Sequence, residues 1–196
     1  MTGARIPGLI LAAGASRRMP GRSKLAREWS DTTVLGAVIR CAGEADLDPL
    51  FVAVSGGTPN LNSIGLFKEV PVARPEAGRA ESLSAGLRAM PPGSVVVLLG
   101  DEPGIKVADI RALTAAWDPA SADMARLRYQ DRPGHPVLFG PAARCRAQKL
   151  EGDVSIWETL CLDGFVAMEV MVNGLAPIDV DSPADLRRAR RRENVE

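Results

Sequence analysis

The chain has 196 residues, of which 46% are hydrophobic, and its 24 Lys and Arg residues balance 24 Asp and Glu residues. At about 150 residues per domain, this length predicts a single domain covering residues 1–196. Zero net charge argues against binding nucleic acid or a membrane surface by bulk electrostatics. No apolar run approaches the ~18 residues that a membrane helix needs, and Cys41, Cys145 and Cys161 lack C-x-x-C spacing. We therefore expect a cytoplasmic protein with reduced thiols and with neither nucleic acid nor membrane as a partner.

Three aliphatic runs in the first half predict buried strands, at Leu9–Ala12, Leu50–Val54 and Val95–Leu99. The runs are continuous rather than alternating, which is typical of parallel strands covered on both faces. Helical patterns separate them at Val34–Ala45 and Glu81–Met90. This order predicts a βαβαβ unit with right-handed crossovers.

The second half predicts shorter elements. In chain order they are a helix at Val107–Trp117, a strand at Met124–Tyr129, a turn at 131–134, a strand at Pro136–Phe139 and a helix at Ala142–Leu150. Val166–Val172 then predicts a strand that turns at Asn173-Gly174 into an antiparallel partner, Pro177–Val180. Ser182 is predicted to cap a last helix that runs through Arg192. The whole pattern indicates an α/β fold with a mostly parallel sheet and a small antiparallel elaboration.

The first strand ends in a loop of small residues and cations, Leu11-Ala12-Ala13-Gly14-Ala15-Ser16-Arg17-Arg18-Met19, with Arg22 and Lys24 just beyond. Small side chains leave room for a ligand, and successive N–H groups in such a turn form an anion nest. The cations suit phosphates. The spacing matches neither G-x-x-x-x-G-K-[ST] nor G-x-G-x-x-G. A plain glycine-rich turn with solvated arginines is the alternative.

The third strand runs into Gly100-Asp101-Glu102-Pro103. A carboxylate directly after a buried strand lies at the carboxyl edge of the sheet, where open α/β sheets bind ligands. Mg²⁺ is usually held by one or two carboxylates together with phosphate oxygens. We therefore predict Asp101 as a Mg²⁺ ligand, with an ordinary turn as the alternative.

These segments resemble the MobA-like nucleotidyltransferases, most closely the molybdenum cofactor cytidylyltransferase branch. On the signature L-A-A-G-x-S-x-R-M-x…K the matching positions are Gly14, Ser16, Arg18 and Lys24, although Pro20 stands where the family usually has glycine. In the family, G-D-x-P carries the metal-binding aspartate, which implies Asp101. Residues 150–153 resemble the family's L-x-G-D-x-G segment and imply Asp153 as a second ligand. A helix cap is the alternative for Asp153.

Two further segments carry the resemblance. Residues 74–83 are similar to N-P-x-x-x-G-x-x-x-S-L, which lies near the base and ribose, and this implies a nucleotide contact by Ser82, with a helix cap as the alternative. Gly134–Phe139 matches G-H-P-V-L-F, which implies that His135 lies on the acceptor side, with a purely structural histidine as the alternative. Residues 178–186 correspond to D-x-D-T-P-x-D-L and are interpreted as structural.

The resemblance implies a three-layer, Rossmann-like nucleotidyltransferase fold of the nucleotide-diphospho-sugar transferase type. It implies Mg²⁺-dependent transfer of a nucleoside monophosphate from CTP to molybdopterin, with a molybdenum hydroxylase apoenzyme as the recipient of the product. The implied catalytic residues are Arg18, Lys24 and Asp101. The implied nucleotide-binding residues are Leu11, Ala12, Ala13, Gly14, Ala15, Ser16, Arg18, Lys24, Ser82 and Gly100.

The alternatives within enzymes are a guanylyltransferase and a nucleotidyltransferase acting on a sugar phosphate or phosphocholine. A non-catalytic protein that binds a nucleotide or cofactor is the alternative of another class. A dinucleotide oxidoreductase is disfavoured because G-x-G-x-x-G is missing.

Overall fold

The computed structural model describes residues 5–14, 23–59, 61, 65–152 and 154–193. In this part of the chain a seven-stranded sheet has the order β5-β4-β1-β6-β8-β7-β9. Its strands are β1 (Gly8–Leu11), β4 (Leu50–Val54), β5 (Lys68–Pro71), β6 (Val95–Leu99), β7 (Met124–Arg128), β8 (Pro133–Phe139) and β9 (Ala167–Met171). A separate antiparallel ribbon joins β2 (Glu28–Trp29) to β3 (Thr32–Thr33).

Parallel pairing dominates the sheet. Strand β1 pairs in parallel with β4 and β6, β4 with β5, and β7 with β9. Only β8 pairs in the opposite sense, with both β6 and β7. The predicted fold class, a mostly parallel α/β sheet with a small antiparallel part, is confirmed.

Six α-helices of the described chain cover the sheet in two layers. They are α1 (Val34–Glu44), α2 (Arg79–Ala89), α3 (Val107–Ala116), α4 (Pro141–Ala147), α5 (Ile156–Leu162) and α6 (Pro183–Glu193). Helices α1, α3 and α6 pack in one core with Ile10 of β1, whereas α2, α4 and α5 pack in the other with Leu9. Because side chains alternate across a strand, a strand covered on both faces is apolar at every position. This explains the continuous aliphatic runs.

Strand β5 and helix α5 are absent from the sequence prediction, and so is the short β2-β3 ribbon. Strand β5 is an edge strand with one buried residue, Val70, and it ends at Pro71. Proline is tolerated at an edge, but so mixed a segment carries little strand signal. Helix α5 is only seven residues long and buries Leu160 alone, so its helical periodicity is equally weak.

The predicted hairpin of Val166–Val172 with Pro177–Val180 is wrong. Strand β9 pairs in parallel with β7, and residues 175–181 form no strand. The turn before β8 satisfies the backbone of this segment instead, because Gln130 N–H donates to Gly174 O at 3.0 Å and Asp131 Oδ1 accepts from Ala176 N at 2.8 Å. That turn is also shorter than predicted, since β8 already begins at Pro133.

The start of the last helix agrees with the prediction. Ser182 Oγ accepts from the backbone N–H of Asp185 at 3.2 Å, and Asp185 Oδ2 accepts from the backbone N–H of Ser182 at 3.0 Å. This reciprocal pair is a capping box. Among the described residues, no helix combines the length and the apolarity that crossing a membrane requires. All three cysteines are unpaired.

Candidate active site

A cleft of about 640 Å³ opens at the carboxyl ends of β1 and β6. Sixteen of the described residues line it: Leu11, Ala12, Ala13, Gly14, Lys24, Leu25, Pro75, Glu76, Ala77, Gly78, Arg79, Ser82, Leu99, Asp101, Asp179 and Asp181. The structure thus brings together seven of the predicted site residues: Leu11, Ala12, Ala13, Gly14, Lys24, Ser82 and Asp101. The predicted Ala15, Ser16, Arg18 and Asp153 lie outside the described residues.

The floor of the cleft is the end of β1. Ala12 and Ala13 are buried, and the N–H of Ala12 donates to Ala53 O at 3.0 Å, which continues the pairing with β4. Thr58 Oγ1 donates to Ala12 O at 3.1 Å and fixes the point where the chain leaves the sheet. A Cβ placed on Gly14 would meet no atom within 4 Å. The backbone at Ala12 is therefore fixed by hydrogen bonds to the sheet, and the backbone at Gly14 is open to a ligand in the cleft.

Gly100 lies beneath the cleft, outside its lining. Its N–H donates to Leu11 O at 3.0 Å. A Cβ on Gly100 would approach that same oxygen to 3.1 Å and Leu35 Cδ1 to 3.0 Å. Glycine therefore lets the end of β6 pack closely against β1, and this contact sets the position of Asp101 next in sequence.

The ammonium of Lys24 lies between two carboxylates. Its Nζ donates to Asp101 Oδ2 at 2.5 Å and to Asp181 Oδ1 at 2.7 Å. The side chain of Lys24 is 12% exposed and that of Asp101 22%, whereas that of Asp181 is 43% exposed at the mouth of the cleft. Burial alone lowers the pKa of Lys24, but the charges and hydrogen bonds of the two aspartates outweigh it and hold the pKa above its ordinary value.

The segment that carries Asp181 reaches Asp101 through the backbone as well. The N–H of Val180 donates to Asp101 O at 2.9 Å, and Val180 itself is fully buried. Asp181 is not among the residues predicted from the sequence, where residues 178–186 are interpreted as structural. The available signal was the Asp179-Val180-Asp181 pattern, since an extended chain puts alternate side chains on one face. Both aspartates line the cleft.

Glu102, the residue after Asp101, interacts with both Asp179 and His135. Glu102 is only 3% exposed, and its Oε1 lies 3.6 Å from His135 Nδ1. Burial, followed by the hydrogen bond and charge of Glu102, raises the pKa of Asp179 to about 7, against the opposing charges of Arg132 and His135. Burial lowers the pKa of His135, but Glu102, Asp179 and Asp101 together hold it above its ordinary value. His135 does not line the cleft.

The opposite wall of the cleft comes from the start of α2. This helix begins at Arg79, and Gly78, with φ of 107°, holds the position before it. Ser82 is therefore inside the helix, so the alternative of a Ser82 cap is wrong. Ser82 is 6% exposed and lines the cleft. Gly152 O accepts from the N–H of Ala80 at 3.3 Å, which places the residue before Asp153 against this wall. Arg79, which sequence analysis passed over, adds a cation here.

The described residues offer no group of three His, Cys, Asp or Glu side chains that could hold a metal unaided. They do offer two carboxylate oxygens, from Asp101 and Asp181, that converge on one cationic nitrogen. A hard divalent cation commonly takes one or two carboxylates and completes its shell with phosphate oxygens and water. The donor set therefore fits a divalent cation that binds together with a phosphate ligand.

Comparison with known proteins identifies the fold and the family that the sequence motifs resemble. The profile of the family described as "MobA-like NTP transferase domain" matches residues 8–161. The structure of Rv0371c from Mycobacterium tuberculosis H37Rv is 29% identical, with a TM-score of 0.85 over 97% of this chain and 100% of that one. No curated protein matched the sequence.

Two more solved structures are similar over nearly the whole chain. Rv0371c of the same organism in complex with manganese is 28% identical, with a TM-score of 0.77 over 97% of this chain and 100% of that one. A nucleotidyl transferase from Methanothermobacter thermautotroptrophicus is 19% identical, with a TM-score of 0.83 over 99% of this chain and 100% of that one. The second of these shows a shared fold.

Proposed function

The chain belongs to the family of MobA-like NTP transferase domains, and from this premise we propose that it is a Mg²⁺-dependent cytidylyltransferase that transfers CMP from CTP to the phosphate of molybdopterin. The observation that carries the proposal is the arrangement of Lys24, Asp101 and Asp181 beside the small residues that end β1. Cations, paired carboxylates and an open backbone turn are the groups that a metal-bound triphosphate needs.

Asp101 and Asp181 are the residues that would hold Mg²⁺. When bound, the cation supplies positive charge that neutralises phosphate oxygens. The manganese complex of Rv0371c supports a divalent ion in this group of proteins. Asp153, the second ligand implied by the family pattern, lies outside the described residues and stays a prediction. Asp181 is added to the proposed site because its carboxylate meets that of Asp101 at the ammonium of Lys24.

The protein's part in the reaction is to position and to neutralise. An ionised phosphate oxygen of the acceptor forms a bond to the α-phosphorus of CTP. The bond from that phosphorus to the bridging oxygen of the β-phosphate breaks, and pyrophosphate leaves with the electron pair. Lys24, together with Arg18 on the family signature, stabilises this leaving group, and the amides of residues 13–15 hold the triphosphate. Because the acceptor is already ionised, no general base is required.

Ser82 and residues 75–79 form the wall that we assign to the base and ribose. The preference for CTP rests on the Ala12-Ala13-Gly14 form of the loop, since the guanylyl branch more often has alanine-glycine-glycine. We place the acceptor on the side of His135, beyond Asp179. Guanylyl transfer and transfer to a sugar phosphate or phosphocholine are the competing activities.

The decisive experiment measures pyrophosphate release by the purified protein. We expect release that requires Mg²⁺, molybdopterin and CTP together, with GTP a poorer substrate. Pyrophosphate release with GTP but not with CTP would show that the protein is a guanylyltransferase. Release with a sugar phosphate but not with molybdopterin would show that the acceptor is a sugar phosphate. Binding of CTP without any release would favour the non-catalytic accessory protein.

A further inference from the structure

The ammonium of Lys24 occupies the position between Asp101 and Asp181 that the proposed metal site would need. We propose that Lys24 holds this position before nucleotide binds, and that a divalent cation enters by displacing the ammonium toward the cleft. The inference rests on the proposed metal site. It gives Lys24 a second role, as an internal cation that neutralises the two acids while no metal is present.

The ammonium of Lys24 makes a short contact with each of the two aspartates. Its Nζ is within 2.7 Å of one oxygen from each aspartate, and its side chain is 12% exposed. Each of these is a charge-assisted hydrogen bond, which is stronger than a neutral one. A cation that binds the same two carboxylate oxygens must therefore first break two strong contacts.

The backbone around the site holds the acids in place independently of Lys24. The hydrogen bond from Val180 N–H to Asp101 O at 2.9 Å joins the two segments directly. Buried Val180 on one side of Asp181 and the cap of α6 on the other fix that segment at both ends. Without the ammonium, the two carboxylates would remain close together and lack its charge.

The backbone of Lys24 is equally anchored. Leu25 is 3% exposed, and the N–H of Arg27 donates to Lys24 O at 3.3 Å. The side chain, in contrast, is a flexible four-carbon stem that lines the cleft. The ammonium can thus move from the carboxylates to the phosphates of a bound nucleotide without a change in the backbone. Metal and nucleotide would then favour each other's binding, because the nucleotide takes up the ammonium that the metal displaces.

The test is the affinity for Mn²⁺ in the absence of nucleotide, measured from free Mn²⁺ by electron paramagnetic resonance. Lys24→Met removes the charge and keeps a side chain of similar length. We expect this variant to bind Mn²⁺ about tenfold more tightly than the unmodified protein, because the competing contact is lost. A lysine whose ammonium lies away from the two aspartates before nucleotide binds predicts a smaller gain, through long-range charge alone, and equal or weaker affinity would overturn the proposal.

Three controls separate exchange from other causes. Lys149→Met removes an equal charge outside the cleft and should leave the affinity unchanged; a gain like that of Lys24→Met would overturn the proposal. Lys24→Arg keeps a cation between the acids and should bind Mn²⁺ no more tightly than the unmodified protein; a gain like that of Lys24→Met would overturn the proposal. Lys24→Gln, which also removes the charge, carries the test if Lys24→Met folds poorly. Adding Asp101→Asn to Lys24→Met should abolish the gain. Because no nucleotide is present, these affinities are independent of whether the protein transfers CMP.

Discussion

Asp101 and Asp181 approach the ammonium of Lys24 from distant parts of the chain. Asp101 follows the buried strand β6, whereas Asp181 lies in the irregular segment that joins β9 to α6. The two carboxylates differ in exposure, at 22% and 43%. Asp181 is thus the more accessible of the two to incoming ligands.

Replacing either aspartate by asparagine should therefore reduce turnover while leaving the fold intact. Each change removes one carboxylate from the proposed metal site, and loss of one transition-state contact of this kind costs roughly 10²–10³-fold in kcat. We expect Asp101→Asn to have the larger effect. The measurement is pyrophosphate release at saturating Mg²⁺ and nucleotide, with far-UV circular dichroism to verify folding.

Asp118→Asn is the matched control, since Asp118 caps a loop away from the cleft by accepting from Ala120 N at 2.9 Å. It should keep near-normal turnover. If Asp181→Asn is as active as this control, Asp181 has no part in the reaction. If Asp101→Asn is as active as this control, the proposed site is wrong.

At the scale of single residues, local sequence context decided what could be predicted. Asp101 and the small residues of the first loop adjoin strong strand patterns, so their place at the sheet edge follows from the chain itself. Asp181 and Glu102 gain their contacts only through folding, with Asp181 meeting Lys24 across 157 positions. No local pattern specifies such a contact.

Helix α2 carries one wall of the cleft, and Arg144 of α4 holds the other end of that helix. The guanidinium of Arg144 donates to four carbonyl oxygens at the end of α2 and in the following turn, those of Leu87, Met90, Pro91 and Gly93, at 2.5–3.1 Å. Arg144 is only 7% exposed. A buried cation thus satisfies carbonyls that a helix end leaves without partners.

Arg144→Met should lower the free energy of unfolding by about 3 kcal/mol, because buried carbonyls lose their donors. For a chain of this size that corresponds to a fall in Tm of roughly 6–12 °C. Calorimetry or thermal circular dichroism measures the change. Arg146→Met on the same helix breaks only a half-exposed pair with Asp163 and should cost under about 1 kcal/mol. Equal losses in the two variants would contradict the role given to Arg144.

At the scale of elements, burial on both faces made the central strands predictable. Strands β1, β4 and β6 carry no polar side chain, and each was expected within one residue of its observed bounds. Edge strand β5 lacks that signal. The direction of β9 could not be read from Asn173-Gly174, because hydrogen bonds to residues 130 and 131 determine where the chain goes after that turn.

The charges of the described residues around the cleft bear on how it can accept a triphosphate. Among the described residues that line it, four are acidic and two are basic: Glu76, Asp101, Asp179 and Asp181 against Lys24 and Arg79. Lys24 is already engaged by two of the acids. A free triphosphate brings further negative charge and would be repelled by carboxylates this close. A divalent cation between Asp101 and Asp181 would offset their negative charge next to the triphosphate.

Nucleotide should consequently stabilise the protein only when a divalent cation is present. Mg²⁺ with CTP at about 100 times its Kd contributes about 2.7 kcal/mol of linkage, which raises Tm by roughly 5–10 °C. CTP at the same concentration in EDTA should raise Tm by less than about 2 °C, since the carboxylates of Asp101 and Asp181 then repel the triphosphate. Differential scanning calorimetry of four samples, with and without each ligand, makes the comparison. An equal rise in EDTA would mean that the cations of the cleft suffice, and the paired aspartates would then have another purpose.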